Sequence, residues 1–251
     1  MTALQAQSVF AEDAGLAFVF FIAFSLMAAL GARFALYAYL NRRAIGIESQ
    51  RRLWSYLTLV GATAGLYGLL GVVEAATAVT QPTAIATPYR DGVLLGFLLL
   101  VSLTMRAVWV NASGPAAADG GQAVAQDGYR LVDGGLGAIV VGSVLAAVVL
   151  GAGTATTVVE GAGALGVAGY GLVYGRAQLG DATVRGTMVD SLLRHLLPVS
   201  TFGVLVLLVD LAIPAGLDVA IVRHVQVVFV IVTATTLMTA TIKLRQNVSG
   251  L

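Results

Sequence analysis

The sequence predicts an all-α membrane protein: one bundle of seven transmembrane helices, with the N-terminus outside and the C-terminus cytoplasmic. Three observations carry this expectation. Of the 251 residues, 58% are hydrophobic and 11% charged, with a mean hydropathy of +0.90; soluble domains carry about 25% charged and 45–50% apolar residues. Seven segments reach the roughly 20 mostly apolar residues that a helix needs to cross a bilayer. The 14 basic residues, all arginine except Lys243, collect on alternate connections. A net charge of +1 gives no field for nucleic acid, and the absence of cysteine excludes disulfides, thiolate metal sites and thiol catalysis.

Taken in chain order, the spans are Gly15–Leu40, Leu53–Ala78, Gly92–Val110, Leu131–Gly151, Thr154–Gly175, Val189–Ile213 and Val219–Leu244. The first is a long apolar run. No basic region precedes it, and Glu12 and Asp13 stand there instead, so it is expected to remain as an anchor and not to be cleaved as a signal peptide. The second and fifth contain the small-xxx-small spacings Gly61…Gly65 and Gly171…Gly175. These let helices approach closely, and packing inside the bundle is the simpler reading than a dimer seam. Between the third and fourth, Asn111–Arg130 is rich in Gly, Ala, Asp and Gln and is expected to be a flexible loop. The fifth is the weakest span, being glycine-rich and holding Glu160. The breaks before the fifth and seventh spans are short, which makes their flanking helices antiparallel neighbours. In the sixth, Pro198 removes a backbone hydrogen bond and is expected to kink the helix near Arg194 and His195.

Arginine bias sets the orientation. Arg42, Arg43, Arg51 and Arg52 lie on the first connection, Arg130 on the third, Arg176 and Arg185 on the fifth, and Lys243 and Arg245 at the tail. The other side holds Arg90 and Arg223. The expectation is one domain over residues 1–251, in the plasma membrane. Asn111-Ala-Ser113 and Asn247-Val-Ser249 match the glycosylation pattern but fall on the cytoplasmic side.

Local sequence narrows the family. The second span opens Arg51-Arg52-Leu53-Trp54 and runs Thr58-Leu59-Val60-Gly61-Ala62-Thr63-Ala64, then Tyr67. The first contains Ser25-Leu26-Met27-Ala28 and Gly31-Ala32-Arg33-Phe34, and the third opens Tyr89-Arg90-Asp91-Gly92 before a leucine run to Leu103. These patches resemble the first three helices of the microbial (type 1) rhodopsins, the bacteriorhodopsin-like family. The resemblance covers the whole chain in topology and is sequence-specific in those patches. It implies a rhodopsin-like bundle, with Asp91 near the family's proton-acceptor position and Ser102 near its donor position. It also exposes departures. Retinal opsins need a lysine in the middle of the seventh helix; matching the basic helix ends puts Thr236 there, and Val232 near the counter-ion position. Lys243 lies about 10 Å further along at 1.5 Å per residue, where an amine snorkels to the interface. Gly92, Leu95, Gly96 and Phe97 replace expected aromatic, threonine and proline residues, and the sixth helix offers only Phe202 to a chromophore. The resemblance is therefore to opsin-related proteins that keep the bundle and lose the lysine: no covalent cofactor, with a non-covalent carotenoid, retinal or lipid compatible with the vacated pocket.

Ionisable groups inside a membrane are functional suspects. Glu74, Arg90, Asp91, Glu160, Asp210, Arg223 and His224 all lie toward the outer ends of their spans. They can be read as an external ion or ligand vestibule, or as an interfacial salt-bridge network, which is the simpler reading because groups near helix ends reach water. His195 and His224 differ in depth by roughly 20 Å and cannot share a metal or haem. Arg106 and Asp133, near the inner ends of the third and fourth spans, can pair or snorkel; snorkelling needs less. Thr235 and Thr239 share a face with Lys243 and either line a polar track or bond their own helix carbonyls, the simpler reading.

Three functions compete on this sequence. The first is a sensor, regulator or scaffold for a membrane partner or a second copy. The second is a light-independent ion or proton transporter or channel using the outer carboxylates and Ser102. The third, a lipid-modifying enzyme, lacks an Asp-rich pair, a histidine box or a nucleophile elbow, so no enzymatic activity is expected.

Overall fold

The computed structural model describes residues 13–44, 48–80, 89–112, 122–151, 153–179 and 188–249. Within them the chain is all helix: α1 (Ala14–Ala44), α2 (Glu48–Thr80), α3 (Arg90–Ala112), α4 (Gln122–Leu150), α5 (Thr154–Leu179), α6 (Met188–Leu208) and α7 (Val219–Ser249). All seven are long and apolar enough to cross a membrane. The protein is an integral membrane protein of seven spans. The end that carries the start of α1 is called the outer end below, following the arginine bias. The expected statements about residues 1–12, Ser113 and Arg185 fall outside the described residues.

Polar and glycine residues shape the helix ends. Asp13 caps α1 by accepting a hydrogen bond from the Leu16 amide at 2.9 Å, and Asp218 caps α7 by accepting one from Ala220 at 2.7 Å. The two short outer connections turn at Gly151 and Gly216, whose φ values of 73° and 99° suit glycine alone. After Leu208, α6 tightens into a 3-10 turn, Val209–Ala212, which turns Asp210 into the bundle.

One expectation needs correction. The stretch Asn111–Arg130 is not a loop throughout, because α4 begins at Gln122. Gln122-Ala-Val-Ala-Gln carries mostly good helix formers and no proline, so the helix starts nine residues before the apolar span at Leu131.

The helices form a ring, each touching its sequence neighbours and α7 closing on α1; α3 runs through the interior and also meets α5 and α6. The tightest seam is α1 on α2. A Cβ added at Gly31 would strike the Gly65 backbone, and one at Gly61 or Gly68 would strike the backbone of Ala35 or Ala28. Gly171 packs on Ser102, and Gly175 on Leu197 and Met105. Both small-xxx-small pairs therefore serve packing inside the bundle. The interior is filled by fully buried Phe20, Phe24, Met27, Phe34, Leu57, Leu94, Leu95, Phe97, Leu98, Met105 and Leu193. In contrast, α4 is peripheral: only 11% of its span is buried, against 44–56% for the others.

Candidate functional site

The outer charges form two ion-paired groups that face each other. On α2 and α3, Arg90 Nη1 pairs with Glu74 Oε2 at 2.5 Å, and Nη2 lies 3.2 Å from Asp91 Oδ1. The Arg90 guanidinium also lies over the Phe24 ring, 5.4 Å from its centroid, where a cation meets the negative ring face. On the far side, Arg223 Nη1 of α7 donates to Asp210 Oδ1 at 3.0 Å. Gln226 completes this group: its Nε2 donates to Asp210 Oδ2 at 3.0 Å and to the Val206 carbonyl at 3.2 Å, and its Oε1 accepts from Arg223. The spacing explains the arrangement, since residues three apart on a helix share a face. Asp210 and Gln226 are both buried.

Glu160 and Tyr67 lie within electrostatic reach of both groups. Glu160 on α5 interacts with Asp91, Asp210 and Arg90 through space. Its hydrogen-bond partner is the Ser143 hydroxyl of α4, which donates at 3.3 Å. Tyr67 interacts with Arg90, Asp91, Asp210 and Glu74, while its buried hydroxyl has no hydrogen-bond partner among the described residues. Its ring stands edge-on to Phe24 with centroids 5.5 Å apart.

His224 does not join the network. It follows Arg223 by one residue, which rotates it about 100° around the helix, and it is exposed. Its Nδ1 contacts the Ala220 carbonyl at 2.7 Å, and its Nε2 lies 3.8 Å from Asp13.

At the inner end, Arg106 and Asp133 form an ion pair, and the expectation of ordinary snorkelling is corrected. Tyr170 explains the difference: its hydroxyl donates to Asp133 Oδ1 at 2.9 Å and accepts from Arg106 at 3.3 Å. Its ring meets Tyr174 edge-on, and Tyr174 in turn packs at a tilt on Trp109. This triad ties α3, α4 and α5 together where α4 has few other partners.

Thr236 is half-buried, and its hydroxyl donates to the Val232 and Thr233 carbonyls, both at 2.9 Å. Thr235 bonds the Ile231 carbonyl at 2.8 Å and Thr239 the Thr236 carbonyl at 2.6 Å, so the threonines satisfy themselves within their own helix. Thr239 also lies 3.4 Å from His195 Nδ1. Lys243 is exposed at the inner end. Ser102 is buried, and its hydroxyl donates to the Val167 carbonyl at 2.8 Å, clasping α3 to α5. Among the described residues, no group of three His, Cys, Asp or Glu side chains could hold a metal ion.

Besides Ser143 and Tyr170, two buried amides escaped the sequence reading. Gln226 is one; its signal was a lone amide three residues beyond Arg223. Asn41 is the other. It is fully buried, and its Nδ2 donates to the Tyr37 carbonyl at 2.8 Å and to the Leu244 carbonyl at 3.1 Å. Asn247 donates to its Oδ1, fastening α1 to α7 at the inner end. The apparent glycosylation site at Asn247 thus carries a side chain committed to packing.

No family model, curated protein or solved structure matches the chain.

Proposed function

We propose that the protein is an opsin-related membrane protein that binds no retinal covalently and acts as a sensor, regulator or scaffold for a membrane partner, without enzymatic activity. The observation that carries this reading is the state of the bundle's middle. Thr236 stands near the position where the resemblance calls for a lysine, and its hydroxyl is spent on its own helix. Between the outer ion pairs and Thr236 the bundle is filled by Leu94, Leu95, Phe97, Leu98, Val199, Val230 and Ala234, all buried. A chain of ionisable groups through the bundle from one side to the other is what a proton path requires; here Arg33 of α1 faces away from the bundle, and the charges that turn inward lie toward the two ends and mostly pair with one another. The outer ion pairs fasten α2 to α3, and the turn after α6 to α7. The peripheral α4 then offers its outward face to the bilayer, to a membrane partner or to a second copy. A non-covalent carotenoid, retinal or lipid is compatible with this reading. The plasma membrane is the proposed location.

A transport reading has one observation in its favour: Glu160 is buried with a hydroxyl, and no arginine, as its direct partner. Reconstitution into liposomes with an internal pH dye separates the two. The scaffold reading expects no proton flux above that of empty liposomes, in light or in darkness. Flux in darkness that disappears in Glu160→Gln, Glu74→Gln or Asp210→Asn establishes transport instead.

A further inference from the structure

Arg33 is the one arginine placed well inside a span and facing away from the bundle. It lies in α1, nine residues before Arg42, so its Cα is about 13 Å deeper than the basic helix end at 1.5 Å per residue. Its side chain is exposed. Three arginines that turn into the bundle each meet a carboxylate: Arg90 has Glu74 and Asp91, Arg106 has Asp133, and Arg223 has Asp210. Arg33 has no hydrogen bond or ion pair among the described residues. A guanidinium in the apolar zone is costly unless an anion or water reaches it.

Immediately beside it is a groove. Close approach of α1 and α2 leaves an open trough of about 600 Å³ on the outside of the bundle, within the range of about 300–1,000 Å³ usual for small-molecule sites. Its floor is Gly61 and Gly65, and its walls include Ala29, Ala32, Leu66 and Leu69. The lining is apolar apart from Ser25, so it suits a hydrocarbon chain. The groove's last α1 residue toward the inner end is Ala32, and Arg33 follows it, one turn along from Ala29. Beyond Arg33, the same pair of helices carries Arg42 and Arg43 at the end of α1, and the exposed Arg51 and Arg52 on α2, against the single carboxylate Glu48. The positive charge therefore rises from inside the span to the inner interface, the field that draws anionic headgroups.

We propose that the α1–α2 groove and Arg33 form a site for one anionic lipid of the inner leaflet, a chain lying in the groove and the phosphate accepting hydrogen bonds from Arg33. Guanidinium matches phosphate in both charge and fork geometry, and a lipid alone delivers that anion together with a chain that fits an apolar trough. The site is independent of the outer network.

Native mass spectrometry of the full chain, released from nanodiscs of equal phosphatidylcholine and phosphatidylglycerol, tests this. The protein is expected to retain one phosphatidylglycerol in preference to phosphatidylcholine by roughly fivefold, the scale of one arginine's attraction to a net anionic headgroup, because choline cancels the charge of the other lipid's phosphate. Arg33→Gln removes the preference, Arg33→Lys keeps most of it, and Ala29→Phe with Ala62→Phe, which fill the groove from exposed positions, abolishes retention of either lipid. Unchanged melting temperatures certify that the variants fold. Equal retention of the two lipids by the parent, or an undiminished preference in Arg33→Gln, overturns the proposal. So does a dimer that Arg33→Gln dissociates, since the occupant is then a second copy.

Discussion

Replacing Arg90 by methionine keeps the length of the side chain and removes its charge. In the parent protein the side chain of Arg90 is 7% exposed and that of Glu74 14%, at a separation of 2.5 Å. The substitution leaves Glu74 and the neighbouring Asp91 without their cation, and takes the charge off the Phe24 ring. Removing one partner of a buried pair costs about 3–5 kcal/mol, because the remaining charge is buried and uncompensated. The lost cation–π contact adds about 0.5–1 kcal/mol. The partner substitution, Glu74→Gln, is milder, since Arg90 still has Asp91 at 3.2 Å. A double-mutant cycle isolates the pair: Arg90→Met together with Glu74→Gln should cost less than the sum of the two alone, by at least about 1 kcal/mol. Equilibrium unfolding in mixed micelles, followed by far-UV circular dichroism, gives each value. If Arg90→Met lies within about 1 kcal/mol of the parent, or if the two substitutions simply add, the outer charges are solvated rim residues and not a buried network.

Four further outcomes follow from the packing. Tyr67→Phe should leave stability unchanged or raise it slightly, since the hydroxyl it removes is buried without a partner; a loss above about 1 kcal/mol in the same unfolding assay would show that the hydroxyl is bonded. Asn41→Leu should cost about 1–3 kcal/mol, because the Leu244 carbonyl and Asn247 lose their buried partner; hydrogen exchange should rise first at the inner ends of α1 and α7, and uniform exchange would refute the local role. Gly31→Leu should be far more damaging than Gly134→Leu, since the first meets the Gly65 backbone and the second open space; equal melting temperatures would contradict the α1–α2 seam. Asp133→Asn should loosen α4 selectively, raising hydrogen exchange at its inner half, while an unaffected α4 would mean that the Tyr170 triad does not hold it.

The spans were legible because hydrophobic length alone decides them: all seven helices contain the predicted segments to within a few residues at each end. Polar helix extensions were not legible, because nothing in a hydropathy count stops or continues a helix in water; the start of α4 at Gln122 is the clearest case. The depth of the outer charges could be read by counting residues, and this placed Glu74, Arg90, Asp91, Glu160, Asp210 and Arg223 at one level. Their pairing could not, because it depends on the rotation of each helix about its axis. His224 shows the difference: it has the right depth and the wrong face. Gln226 and Asn41 were hidden for another reason. A neutral amide in an apolar run raises no charge signal, and only the facing helix reveals that it bridges two backbones. Arg106 and Asp133 stand 27 residues apart in sequence, and Tyr170, the residue that makes their pairing favourable, belongs to a third helix.

The proposed function requires a seven-helix bundle that holds no chromophore covalently. The chain's single lysine makes it directly testable. The protein, expressed with all-trans retinal, is reduced with borohydride to fix any Schiff base, and its intact mass and peptide map are recorded. The expected mass is that of the unmodified chain. A retinyl adduct on Lys243 would contradict it.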